Sequence, residues 1–223
     1  MKVITFIALF LSCITGLTIF NHFSIHGSIS LVYGLTAFFL TLNLLICYWE
    51  LCLFACIDKI TADNNHYRET YPDNKSQPAI DFVTTKMRCK DVFSASFWSH
   101  IWSTYAMFDG SYADRKTYGF AIDIGNGMST LIPSLLLHLA FTYQFLPAQI
   151  IGIIALLFFY QVTYGTFLYW VSFLVNKRHK LISFKENMIY IVGTNVPWVI
   201  FGLIGIYASI RLILDNNYSV FVL

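Results

Sequence analysis

The chain has 223 residues, of which 57% are hydrophobic, 18% aromatic and only 12% charged, and its formal net charge is +2 at pH 7. A soluble domain carries about 25% charged residues, so this composition excludes a soluble globular protein and indicates that lipid is the solvent. The basic residues lie in loops and form no continuous stripe, which argues against a nucleic-acid partner.

Five apolar stretches predict five membrane-spanning helices in a single domain, residues 1–223, without internal repeats. The first, residues 3–20, has about 18 residues and can cross a bilayer core. It lacks a small-residue cleavage site, so we interpret it as a retained span rather than a signal peptide. A short turn is predicted at residues 21–27, and the other spans at about residues 29–56, 118–141, 147–173 and 188–213.

A long segment, residues 58–117, separates the second and third spans. Its first part, residues 58–78, is polar and has no apolar periodicity, which predicts a loop. From Val92 to Tyr105 apolar residues recur at helical spacing and include Trp and Tyr, a pattern typical of a helix lying in the membrane interface. The predicted fold is therefore an all-α, polytopic membrane protein with five transmembrane helices and an interfacial helix before the third span.

The basic residues are distributed unequally about these spans. With five spans, the amino terminus, the segment 58–117 and the loop 176–186 all lie on the same side of the membrane. Because basic segments remain in the cytosol, the segment 58–117 is predicted to be a cytosolic loop. That side holds Lys2, Lys59, Arg68, Lys75, Lys86, Arg88, Lys90, Arg115, Lys116, Lys177, Arg178, Lys180 and Lys185. Only Arg211 lies near the opposite side. The amino terminus is therefore predicted to be cytosolic and the carboxyl terminus to lie across the membrane.

Two carboxylates fall inside the predicted spans at similar depth. Glu50 lies about six residues, roughly 9 Å, from the cytosolic end of the second span, and Asp123 about five residues into the third. Asn126 shares a helix face with Asp123, while Asn195 and Trp198 lie one to two turns deeper in the fifth span. Because intramembrane acids are costly unless they face a partner or polar cavity, these groups predict a pocket in the cytosolic half of the bilayer.

Each of these residues also has a purely structural interpretation. Glu50 could extend toward lipid headgroups, and Asp123 could stabilise the amino-terminal end of the third helix. Asn195 could bond a neighbouring helix, and Trp198 could serve packing alone. His138 is isolated, and no two histidines have ligand spacing, so no metal site is predicted.

Four short segments carry a family resemblance. Residues 102–112 are similar to the motif W-x-x-Y-A-x-x-D-x-R-Y, residues 164–169 to Y-G-D-x-L-Y, residues 195–198 to N-x-x-W, and residues 50–54 to the end of an H-x-x-x-E motif. These motifs occur in the same order in the emopamil-binding proteins, the sterol Δ8–Δ7 isomerases of the EXPERA superfamily. The resemblance covers about residues 43–213, and the spacing from Asp109 to Asp123 matches the family's distance from that Asp to a catalytic Glu.

The chain also departs from this pattern at four positions. Ile46 stands where the family has His, Asp123 where it has Glu, Ser111 where it has Arg, and Thr166 where it has Asp. The resemblance therefore supports the fold better than the sterol reaction.

The resemblance implies a cofactor-independent isomerase that moves a ring double bond by protonation, carbocation formation and deprotonation. Glu50 would be the proton donor or shuttle, Asp123 the cation stabiliser or base, and Trp198 would offer its ring face to the cation. Two neighbouring carboxylates do not both ionise readily, so we expect one to stay protonated. Substrate-binding residues are then Asn126, Tyr164, Asn195 and Trp198, and structural residues are Trp102, Tyr105, Asp109 and Tyr112.

The expected partners are a sterol or other polycyclic lipid, lipophilic amines as inhibitors, membrane lipid and a second copy of the chain in a homodimer. The resemblance implies the endoplasmic reticulum in a eukaryote, or the inner membrane in a bacterium. The alternative is a non-catalytic protein that binds sterols or lipophilic amines, which the missing His at Ile46 favours. A transporter is disfavoured because five spans without an internal repeat are not typical of one.

Overall fold

The computed structural model describes residues 1–222, and these are helical without β-strands, with helix making up 82% of the structure. The eight helices are α1 (Val3–His26), α2 (Leu31–Ala55), α3 (Ile57–Thr70), α4 (Gln77–Thr84), α5 (Ala95–Tyr105), α6 (Tyr118–Tyr143), α7 (Ala148–Val175) and α8 (Phe184–Asp215). Five of them, α1, α2, α6, α7 and α8, are long and apolar enough to cross a membrane. The predicted all-α polytopic fold is confirmed.

Large apolar side chains are exposed on all five long helices. Examples are Leu17 on α1, Leu31 on α2, Ile132 on α6, Leu157 on α7 and Leu203 on α8, each more than half exposed. So much apolar surface along helices of membrane-spanning length indicates contact with lipid tails. The protein is an integral membrane protein.

The end of α1 differs from the sequence prediction. Residues 21–27 were predicted as a turn, but α1 continues to His26. His22 is fully buried, and its ring nitrogens lie 3.2 and 3.3 Å from the carbonyl oxygens of Phe141 and Phe221. These distant partners satisfy a polar side chain within the helix, which explains why the predicted turn is wrong.

The loop predicted at residues 58–78 is also wrong, because it contains α3 and the start of α4. Few apolar residues of α3 are buried, so its hydrophobic periodicity is weak. Its polar side chains anchor it to α5 instead: Asn64 donates to the Ser103 carbonyl at 3.1 Å, and Arg68 donates to the Ala106 carbonyl at 2.7 Å. The helix therefore depends on tertiary hydrogen bonds.

The aromatic helix predicted before the third span is present as α5. It begins at Ala95 rather than Val92, because the Ser94 hydroxyl caps it by accepting from the Phe97 amide at 3.2 Å. Residues 89–91 form a separate 3-10 turn. The placement of α5 in the membrane interface stays a prediction.

The chain forms two compact units, and each of the five long helices contributes to both. Unit 1 comprises residues 1–8, 47–128 and 167–195; unit 2 comprises residues 9–46, 129–166 and the chain from residue 196 on. Unit 2 has an apolar core whose largest members include Phe39, Leu40, Phe141, Phe159 and Phe221. Unit 1 contains most of the charged residues and the polar groups described below.

Close packing of α8 on α7 in unit 2 gives a first prediction. A Cβ atom at Gly205 would collide with the ring of Phe159, which is fully buried. We expect Gly205→Ala to lower the free energy of unfolding by about 1–3 kcal/mol, because the ring must shift in a packed core. Thermal unfolding in detergent micelles measures this effect.

Gly34→Ala in α2 is the matched control, because no atom lies within 4 Å of a Cβ built there. Alanine favours the helix over glycine, so this variant should be as stable as the wild type or more stable. Equal stability of the two alanine variants would contradict the packing interpretation.

Candidate functional site

Glu50 is buried in unit 1, on the side of α2 that faces α6. The Asn126 side-chain nitrogen lies 2.9 Å from each carboxylate oxygen of Glu50. A glycine follows at position 127, where an added Cβ would lie 2.7 Å from the Glu50 Cβ and 3.2 Å from the Cys47 carbonyl oxygen. The absence of a side chain at Gly127 allows α6 to approach α2 closely. This approach brings the Asn126 amide to the carboxylate of Glu50, a residue that is only 3% exposed.

Asp123 lies three residues before Asn126 on α6 and is half-buried. The Tyr112 hydroxyl and Glu50 both lie close enough to its carboxylate to interact with it electrostatically. Among residues 1–222, neither carboxylate takes part in an ion pair. Unit 1 therefore holds two neighbouring acids beside neutral polar side chains.

Burial keeps the phenol beside Asp123 protonated. Loss of solvation, and then the nearby charge of Asp123, raise the pKa of Tyr112 well above its usual range. The Tyr112 ring stacks on Trp102 with centroids 5.1 Å apart, and the Trp102 indole nitrogen donates to the Trp49 carbonyl at 2.6 Å. These contacts hold the Tyr112 ring in place beside Asp123.

A second buried carboxylate, Asp109, is fully paired. It accepts from the Arg178 guanidinium at 2.6 Å, the Tyr169 hydroxyl at 2.8 Å and the Ser111 amide at 3.0 Å. A buried charge costs several kcal/mol unless it is paired and hydrogen-bonded. The three donors account for a carboxylate whose residue is 1% exposed.

A chain of polar side chains extends from Asp109 to α8. The Tyr169 hydroxyl lies 3.3 Å from the Tyr105 hydroxyl, which accepts from the Asn195 amide at 3.3 Å. Burial raises the pKa of Tyr105 to about 12, so this hydroxyl remains protonated. The chain links α8, α7 and α5 to the turn after α5 and gives unit 1 a fixed polar interior.

The structure thus brings eight of the predicted residues into unit 1: Glu50, Trp102, Tyr105, Asp109, Tyr112, Asp123, Asn126 and Asn195. Two others belong to unit 2. There Trp198 packs edge-on against Phe39 with centroids 6.0 Å apart, and Tyr164 is 48% exposed and stacks on Tyr160. Their assignment to substrate binding stays a prediction.

No family model, curated protein or solved structure matches the chain. The resemblance to emopamil-binding proteins therefore stays a prediction from short motifs. Each of the four motif segments nevertheless contributes a side chain to the polar groups of unit 1. These side chains are Glu50 from residues 50–54, Asp109 from residues 102–112, Tyr169 from residues 164–169 and Asn195 from residues 195–198.

Two contributing residues were missed at the level of sequence. Tyr169 is the last residue of the segment similar to Y-G-D-x-L-Y, which could have indicated it. Arg178 lies in a basic loop 69 residues from Asp109, and nothing in the loop distinguishes it from its basic neighbours. Within the described residues, no group of three or more His, Cys, Asp or Glu side chains could hold a metal ion.

Proposed function

We propose that the protein is a membrane-embedded isomerase that transposes a carbon–carbon double bond in a sterol or triterpenoid. The observation that carries this proposal is the pair of neighbouring carboxylates, Glu50 and Asp123, within membrane-spanning helices and without a cationic partner among residues 1–222. A pure stability role would be better served by apolar residues, since intramembrane acids are expensive. The motif resemblance names the reaction class.

The proposed reaction adds one proton to the substrate and removes another from it. Protonated Glu50 donates its proton to one alkene carbon, and the other alkene carbon becomes a tertiary cation. Asp123, as carboxylate, stabilises that cation and then removes a proton from the adjacent carbon, whose C–H electron pair forms the new double bond. The proton passes back from Asp123 to Glu50, so substrate and product have the same composition.

Positions of the supporting groups suit these roles. Asn126 fixes the orientation of the Glu50 side chain by two hydrogen bonds, and the Tyr112 hydroxyl lies beside Asp123. Glu50 is the more buried of the two, which fits the group that must keep its proton from water until substrate arrives. Asp123 is the more accessible, which fits the group that meets the substrate cation.

Incubation of the purified protein with a panel of Δ8 sterols and triterpenoids tests this function. Mass spectrometry and NMR should identify a product of unchanged mass with a displaced double bond. No conversion of any compound in the panel would contradict the isomerase proposal.

A second candidate function is binding without catalysis, which Ile46 favours because the resembling family has His there. On this reading Asp123 pairs with the ammonium group of a lipophilic amine. We expect Asp123→Asn to weaken amine binding by about tenfold or more, since hydrogen bonds to charged groups contribute roughly 1.5–3 kcal/mol. A radioligand or fluorescence assay in detergent measures the change.

Asp73→Asn is the control for that experiment, because Asp73 is exposed. Amine binding together with sterol conversion supports the isomerase, in which amines act as inhibitors. Binding without conversion supports the binding protein. Unchanged amine affinity in Asp123→Asn would contradict the assigned role of Asp123 in both.

The proposal includes an orientation. The amino terminus is placed in the cytosol because 13 of the 14 Lys and Arg residues lie on its side of the five spans. Glu50 and Asp123 then lie in the cytosolic half of the bilayer. The compartment that fits a sterol isomerase is the endoplasmic reticulum in a eukaryote, or the inner membrane in a bacterium.

A further inference from the structure

A basic cavity of about 430 Å³ lies in unit 1, apart from the carboxylate pair. Four cationic residues line it: Arg68, Lys75, Lys116 and Arg178. Among the described residues that line it there is no Asp or Glu, and neither Glu50 nor Asp123 is one of them. We infer that this basic cavity binds a phosphomonoester group.

The charges around the cavity are only partly neutralised. Arg178 is paired with Asp109. Arg68 and Lys75 donate to neutral acceptors, the carbonyls of Ala106 and Leu181. Neither of them, nor Lys116, forms an ion pair with another described residue.

Besides Asp109, two acids lie near this group: Asp114 accepts from the Lys116 backbone amide at 2.9 Å, and Glu186 interacts with Lys75 electrostatically. Its carboxylate accepts from the Ser183 amide at 2.7 Å and closes a capping box there. A net excess of positive charge remains at the cavity. A phosphomonoester, which carries about −1.5 to −2 charge at pH 7, matches this excess better than a carboxylate does.

Two of the lining residues, Arg68 and Arg178, are arginines. Phosphate oxygens are acceptors that suit the guanidinium fork of arginine.

The place of the cavity favours a lipid as the source of the phosphate. Lys116 lies just before α6, Tyr118 begins it, and Arg178 follows the end of α7, so the lining includes residues at the ends of two spans. Basic pockets at that level bind lipid headgroups. Apolar lining residues such as Phe108 and Ile182, and a volume well above that of phosphate alone, suit a headgroup with attached glycerol.

The test uses the full-length protein in phosphatidylcholine nanodiscs that contain increasing fractions of phosphatidic acid. Native mass spectrometry should detect saturable binding of phosphatidic acid. The double variant Lys75→Gln/Lys116→Gln should weaken it by about tenfold for each lysine removed, because charge-assisted hydrogen bonds are lost. The matched control Lys90→Gln/Lys185→Gln removes two exposed lysines outside the lining and should bind normally.

Further experiments distinguish a lipid headgroup from a soluble phosphate as the ligand and keep the inference falsifiable. Glycerol phosphate and inorganic phosphate are tested as competitors: effective competition assigns the site to a soluble phosphate, and its absence assigns it to the lipid. If the double variant is unstable, Lys116→Gln alone replaces it, since that side chain is exposed. No saturable binding of any probe, or equal losses in the cavity and control variants, would overturn the inference.

This site is independent of the proposed isomerase function. Glu50→Gln should leave phosphatidic acid binding unchanged, because Glu50 does not line the cavity. A protein that binds phosphatidic acid but converts no sterol would refute the proposed function and support the basic cavity. A protein that converts a sterol but does not bind phosphatidic acid would support the proposed function and refute the basic cavity as a binding site.

Discussion

Replacing Glu50 with glutamine is expected to lower the turnover of the preferred sterol by about 10²–10⁴-fold, the usual contribution of a positioned general acid. Glutamine has nearly the same shape and retains an oxygen that can accept from Asn126, so the packing of α2 on α6 is conserved. The amide cannot donate a proton to an alkene carbon with the acidity of a carboxyl group. The loss should therefore appear in kcat rather than in KM.

The control for this prediction is Glu69→Gln, which makes the same chemical change at an exposed position on α3. It should leave kcat unchanged. Asp123→Asn should lower kcat as Glu50→Gln does, and the double variant should lose little more, because residues that act as a unit are not additive. Wild-type turnover in both single variants would rule out the assigned roles of Glu50 and Asp123.

Replacing Arg178 with methionine is expected to lower the free energy of unfolding by about 3–5 kcal/mol, since it leaves the buried carboxylate of Asp109 without its cation. The side chain of Arg178 is 14% exposed and that of Asp109 is not exposed, so solvent screens the pair poorly. Chemical denaturation of the detergent-solubilised protein measures the loss.

A double-mutant cycle separates the ion pair from simple packing. Adding Asp109→Asn to Arg178→Met removes the unpaired charge, keeps an oxygen that accepts from the Ser111 amide and turns an amide nitrogen toward the Tyr169 hydroxyl, whose oxygen can accept from it, so it should restore much of the stability. The control is Arg115→Met, whose pair with Asp58 lies at the surface and should contribute nothing measurable. Wild-type stability of Arg178→Met, or no recovery in the double variant, would contradict this account of Asp109.

The spans could be predicted from sequence because lipid imposes a strict requirement. Each helix needs about 20 consecutive apolar residues, and the predicted bounds of the second, third and fourth spans lie within about two residues of α2, α6 and α7. The fifth span begins earlier than predicted, at Phe184. Residues 187–193 wind as a π-helix there, and neither their hydropathy nor their spacing signals it.

Elements held by distant polar contacts could not be predicted. The last turn of α1 depends on carbonyl groups 119 and 199 residues from His22, and α3 depends on hydrogen bonds to α5. The local sequence pattern shows neither set of contacts. The pairing of Asp109 with Arg178 could not be predicted for the same reason.

The proximity of Glu50, Asp123 and Asn126 could be inferred from their depth in the membrane. The rise per residue of an α-helix converts a position in the sequence into a depth, and only side chains at similar depth can meet. Depth alone does not give the direction of a side chain around the helix axis. It therefore did not place Tyr112 beside Asp123, nor Trp198 beside Phe39.

Isomerisation in D₂O tests the central claim most directly, namely that an exchangeable carboxyl pair in the membrane moves a substrate double bond by proton transfer. The protein is exchanged into D₂O and supplied with less than one equivalent of Δ8 sterol, so that each molecule reacts at most once and no returned proton is used again. The product is analysed by NMR and mass spectrometry. The account predicts a product that carries solvent deuterium at the carbon that was protonated. A product without solvent deuterium, or the absence of any product, would contradict it.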